Sequence, residues 1–123
     1  MKGYLENLIQ KSKENTYFRN VLLNGKHSQI VIMNILPEEE IGEEVHTESD
    51  QILLIIQGEG DAIIEGEKMP FKIGDTFLVE AGTRHNFINT GDVDLKIITV
   101  YAPLHHPQGT IHKSKAEAEE ASY

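Results

Sequence analysis

The sequence predicts an all-β domain, a sandwich or a barrel. From Tyr17 onward, β-branched and aromatic residues come in brief runs, each closed by a turn signal, which is how antiparallel sheet reads in sequence. Ten glycines are spread along the chain and punctuate those runs. No convincing helix separates one run from the next, so parallel strands joined by crossover helices are excluded.

Residues 1–13 carry Tyr4, Leu5, Leu8 and Ile9 at roughly helical spacing, bounded by Lys11, Ser12 and Lys13. Such a segment reads as a short helix or an edge strand. The run 17–23 ends at Asn24-Gly25, a dipeptide that tolerates the positive φ of a type I′ hairpin turn. The run 29–36 stops at Pro37. The run 51–57 is closed by Gly58-Glu59-Gly60, and 61–64 by Glu65-Gly66. Phe71 leads to Gly74-Asp75 before the run 76–79. A glycine at 82 lets a further strand begin abruptly at His85, where alternation puts Phe87 on the same side as the histidine. The last run, 95–101, halts at Pro103, giving about eight strands. After Pro107 the chain turns polar, and Ser114 followed by Lys115-Ala116-Glu117 reads as a capping box that opens a short helix through Ala121.

A length of 123 residues suits one domain with a proper core and is too short for two. We therefore expect a single domain over 1–123, with the barrel core about 17–103 and a peripheral tail about 104–123. The longest apolar stretch, 52–56, has five residues, whereas a membrane helix needs about 20, so no membrane partner is expected. That stretch is apolar on both faces, which predicts barrel interior on one side and a sheet-to-sheet contact or a homodimer interface on the other. The absence of cysteine excludes disulfides, thiolate metal sites and cysteine nucleophiles, and fits a cytoplasmic location. A net charge of −9 with no Lys/Arg cluster argues against nucleic acid as a partner.

Six histidines, at 27, 46, 85, 105, 106 and 112, are the residues with most chemical potential. Glu44-Val45-His46 places a carboxylate and an imidazole two residues apart, hence on one side of an extended segment. Glu48 offers a rival carboxylate at the same spacing beyond His46. Gln51 heads the apolar run, where an inward polar side chain needs a metal or a hydrogen-bond network. His85 lies in Glu80-Ala81-Gly82-Thr83-Arg84-His85-Asn86-Phe87-Ile88-Asn89, and alternation turns Arg84 and Asn86 away from its side. His105, His106 and His112 follow the last run in a proline-bounded segment that resembles a metal-binding tract; they read as tail residues, with lining of the barrel mouth as the lesser alternative.

With those residues in view, the sequence resembles the cupin superfamily, in particular its small single-domain microbial members. Glu44, His46, Gln51 and Gly58 match the spacing of the first cupin motif, with Glu44 in place of the family's first histidine and Gln51 in place of its glutamate. Gly74, Glu80, Gly82, His85 and Asn89 match the second motif, with Glu80 in place of proline. The resemblance implies a double-stranded β-helix, or jelly-roll barrel, with short peripheral terminal segments and a tendency to form homodimers. It implies a divalent transition metal, iron, manganese, nickel or zinc, held by Glu44, His46, Gln51 and His85. Two imidazoles and a carboxylate form the facial arrangement that suits iron, with Gln51 as a weaker neutral ligand. The function implied is that of a small metal-dependent enzyme of dioxygenase, isomerase or lyase type acting on a small oxygen-rich metabolite. A non-enzymatic module binding a sugar or small molecule in the same pocket is the alternative. A purely structural dimer, its interior filled by Leu53, Ile55, Phe77 and Phe87, is a third.

Overall fold

The computed structural model describes residues 3–121; Met1 and Lys2 of the N-terminal segment and Ser122 and Tyr123 of the tail lie outside the described residues. The described chain forms α1 (Leu8–Glu14), β1 (Arg19–Asn24), β2 (Gln29–Ile35), β3 (Asp50–Gln57), β4 (Glu59–Ile64), β5 (Glu67–Lys72), β6 (Thr76–Val79), β7 (His85–Asn89), β8 (Leu95–Ala102), β9 (Ile111–His112) and α2 (Lys115–Glu120). Six strands make one sheet in the order β6-β3-β8-β2-β1-β9, and three make a second in the order β5-β4-β7. Every pairing is antiparallel, and the two sheets form a jelly-roll barrel.

Local chemistry explains where the chain changes direction. Gly58 carries the chain from β3 in one sheet to β4 in the other at φ +93°, a conformation that side chains rarely adopt. Glu65 and Gly66 both have positive φ and close the β4–β5 hairpin in the type I′ sense. Pro70 sits in β5, at the edge of its sheet, where a missing N–H does not break an internal ladder. The β1–β2 connection differs from the sequence expectation. Asn24 pairs with Gln29, Gly25 N donates to Ser28 O at 2.8 Å, and the connection is a four-residue loop rather than a tight Asn-Gly turn. The Asn24 side chain explains this, because its Oδ1 accepts from Gln29 Nε2 at 2.8 Å and holds the residue in the strand.

The barrel interior is divided along its length. Val31, Met33 and Ile35 of β2, Leu53 and Ile55 of β3, Leu95 and Ile97 of β8, and Phe87 of β7 fill one part as a dry core. Phe71, Phe77 and Phe87 pack edge to face there, with ring centroids 5.1 to 6.1 Å apart. At the other end the inward residues turn polar. Gln29, Tyr101 and Gln51 lie in one row across the large sheet, all three buried.

The outer face of the large sheet resolves the two-faced stretch 52–56. Helix α1, N-capped by Asn7 Oδ1, lies across β2, β3 and β8. Leu8 packs against Ile32, Ile56 and Ile98, so part of that face is covered from within the chain. Ile52 and its cross-strand neighbour Leu78 remain outside this cover, 41% and 66% exposed. The segment expected to be a peripheral tail contributes to the sheet: β9 pairs with β1, and α2, N-capped by Ser114, follows it.

Candidate functional site

Two chain segments distant in sequence are zipped together at the polar end. Glu44 N donates to His85 O at 2.8 Å and His85 N returns a bond to Glu44 O at 2.9 Å. Gly82 N, at a φ of +84° that suits glycine, donates to His46 O at 2.8 Å. The segment leading to His46 thus meets β7 through two isolated bridges, Glu40–Ile88 and Glu44–His85, rather than as a full strand, but the backbone around Glu44 still alternates. Val45 is exposed, while His46 is buried and Glu44 half-buried on the opposite side.

This places three donor groups together. One ligand atom each from Glu44, His46 and His85 lies within 4.8 Å of the others, and Glu48, an exposed residue, is outside the cluster. Glu44 Oε1 stands 3.9 Å from His46 Nε2, and the two imidazole centroids are 5.1 Å apart. His85 Nδ1 contacts Thr83 O at 2.9 Å. A carbonyl only accepts, so Nδ1 carries the hydrogen and Nε2 presents its lone pair. The Nε2 atoms of His46 and His85 are both buried without a hydrogen-bond partner. Gln51, expected among the ligands, donates Nε2 to Thr99 Oγ1 and Tyr101 Oη, each at 3.1 Å, leaving Oε1 buried and unpaired.

The electrostatics act in opposite senses on His46 and Glu44. Burial, followed by the His105, His85 and Arg19 charges, lowers the His46 pKa to about 3, so its imidazole is neutral at physiological pH. Burial raises the Glu44 carboxyl above its ordinary value, opposed by the positive charges of Arg19, His85 and Lys115. Burial also raises Tyr101, which stays a neutral phenol.

The site is larger than sequence reasoning anticipated. His105 and His106, read as tail residues, lie over the barrel end: the His105 ring centroid is 4.2 Å from that of His46 and 4.6 Å from that of His106. Gln29 fixes them there, accepting at Oε1 from His105 N and His106 N and donating Nε2 to His106 O at 2.6 Å. His112 on β9 lies 2.9 Å from Arg19 Nη1 through its Nδ1. Arg19 is buried, at 5% exposure. Their convergence depends on the β1–β9 pairing and on a contact spanning 77 residues, which local spacing does not reveal. The signals available beforehand were the His105-His106-Pro107 tract and Gln29, a polar residue at the head of an apolar run.

A small jelly-roll barrel with a buried histidine–carboxylate cluster at one end defines a candidate metal-site barrel of one recurring kind. The chain belongs to the cupin domain family, whose model matches residues 31–101. It is 39% identical to an uncharacterized protein of Bacillus subtilis, YrkC, over 95% of this chain and 66% of that protein, so it spans just under two thirds of that relative. It is 34% identical to an uncharacterized protein of Acanthamoeba polyphaga mimivirus, over 88% of this chain and 70% of that one. A crystal structure from Bacillus halodurans superposes with a TM-score of 0.94 at 35% identity, covering 96% of this chain and 94% of that one.

Proposed function

We propose that this protein is a metal-dependent cupin in which Glu44, His46 and His85 hold one divalent transition ion, iron, manganese, nickel or zinc, and Gln51 Oε1 serves as a neutral fourth donor. The observation that carries this reading is the pair of buried, unpartnered Nε2 atoms clustered with the Glu44 carboxylate. An imidazole nitrogen removed from water without a partner is unfavourable by about 1–3 kcal/mol, and a shared ion removes that penalty twice over. His85 is pre-oriented by Thr83 O, and His46 is held neutral by burial, so His46 need not shed a proton to bind.

A bound ion acts as a Lewis acid toward a chelating oxygen ligand, and iron or manganese adds one-electron chemistry. The ligand would be a small oxygen-rich metabolite, and the reaction of dioxygenase, isomerase or lyase type. One observation favours binding without turnover: Glu48 is exposed and the Asp50 carboxylate is occupied by Ala81 N at 2.9 Å, so neither is placed as a general base. The same proposal includes a homodimer formed through the sheet face around Ile52 and Leu78, and a cytoplasmic location.

Reconstitution with manganese, iron, nickel and zinc in turn, followed by metal analysis after desalting, tests the site. We expect one ion per chain for at least one metal, and an affinity lower by about 10- to 100-fold or more in Glu44→Gln, His46→Ala and His85→Ala. No retained metal in any reconstitution overturns the reading.

A further inference from the structure

Arg19 is a buried cation beside the candidate metal site, and its charge is felt by Glu44 and His46 without a salt bridge to either. It projects from β1 and is almost wholly buried. None of the ion pairs among the described residues includes it. Its Nη1 contacts the neutral ring nitrogen of His112 at 2.9 Å, and its Nε is buried with no hydrogen-bond partner at all. A guanidinium remains charged in any protein environment, and burying it without a counter-ion is strongly unfavourable.

The same residue borders a cavity that reaches the cluster. Phe18, Arg19, Ile41 and Glu44 line it on the barrel side, and Lys115, Ala118 and Glu119 of α2 roof it. Its volume is about 160 Å³, the share of about five waters at ~30 Å³ each. Four charged groups face it. Lys115 Nζ and Glu119 Oε1 pair at 2.6 Å and cancel each other. What remains is the Arg19 cation and the Glu44 carboxylate, and an ion held at Glu44 would draw off that negative charge.

We infer that this cavity is a carboxylate subsite: a small organic acid places a carboxylate on Arg19 while its other oxygens reach the site at Glu44, His46 and His85. The inference rests on the proposed function for its second half and on Arg19 alone for its first. It narrows the ligand from an oxygen-rich metabolite to an anionic one. The chain's net charge of −9 repels anions in general, so any preference for them must arise locally.

Calorimetric titration of malonate against its neutral counterpart malonamide tests this, on metal-free and on nickel-loaded protein. We expect malonate to bind at least tenfold more tightly than malonamide in both forms. Arg19→Gln should lose that preference while retaining nickel, and Arg19→Lys should keep part of it. Equal affinity for the two probes, or a malonate affinity unchanged in Arg19→Gln, overturns the subsite. If the protein takes up no nickel, the metal reading fails and the metal-free comparison still decides the subsite. If Arg19→Gln does not fold, the wild-type preference decides it alone.

Discussion

His85 offers its Nε2 because Thr83 O already occupies Nδ1, and His46 offers its own because burial keeps the ring uncharged. Both roles follow from spacing that the sequence displays: Glu44, His46 and His85 were recognisable from the two motifs that contain them. Arg19 was not, because nothing within a few residues marks it as inward-facing, and the paired His105-His106 left lining of the barrel mouth only as the lesser alternative to a tail. Their burial is created by β9 closing on β1 and by Gln29 anchoring a loop 76 and 77 residues away. The buried histidines also set a pH dependence. His46 is lowered to about 3 and His106 to about 2, each chiefly by burial, whereas an unfolded imidazole titrates near ~6.5. Between those values the unfolded chain binds more protons than the folded one, so stability is full above about pH 6.5 and falls as pH drops below it. Burial lowers His105 and His112 in the same direction, and the raised Glu44 carboxyl acts in the opposite sense over its own range, one group against four. Urea midpoints of the metal-free protein should therefore hold from pH 7.5 to about 6.5 and decline from there to pH 4.5, and His106→Gln should make that decline shallower; a midpoint independent of pH would contradict the burial of neutral imidazoles.

Strands were easier to read than their connections. The runs bracketed by turn residues became β2, β3, β4, β6 and β8 within a residue or two, since alternation and glycine placement are local properties. The Asn24-Gly25 connection was misjudged because the Asn24 side chain has a partner in Gln29 that the dipeptide alone does not show. Helix α1 was left between two forms, and what settles it is tertiary. Lys96 Nζ, buried beneath it, donates to Asn15 O at the helix C-cap at 2.7 Å and to Asn34 Oδ1 at 2.9 Å. Lys96→Met removes both bonds and should lower stability by about 1.5–3 kcal/mol, with amide exchange rising first in α1. Gly60 is the tightest point of β4. A methyl there would fall far inside contact distance of the Ile88 carbonyl oxygen and lie 2.7 Å from Phe71 Cζ. Gly60→Ala should therefore cost about 3 kcal/mol or more, read as a fall in thermal midpoint; an unchanged midpoint would show that β4 and β7 can separate freely.

Across the whole molecule, one end of the barrel is a dry core of Leu53, Ile55, Ile97 and the phenylalanines, and the other holds polar groups that few neighbours satisfy. A filled interior was one of the readings open to the sequence, and it describes only the first of these ends. The apolar end accounts for the stability on which the polar end draws, since buried unpaired groups are tolerated only where the rest of the fold supports them. The family was legible because its motifs place glycines at corners and ligands beside them, while the extent of the pocket was not, being assembled from both chain termini. The exposed pair Ile52 and Leu78 lies outside the cover of α1. Light scattering at micromolar concentration should give twice the 13.8 kDa chain mass, falling to the monomer in Ile52→Glu; a monomeric wild type would contradict the dimer. The position of the proposed ion can be read by anomalous X-ray diffraction from crystals of the nickel-loaded protein. One peak is expected about 2.0–2.2 Å from Glu44 Oε1, His46 Nε2 and His85 Nε2; a peak among His105, His106 and His112 instead, or none at all, rules the site out.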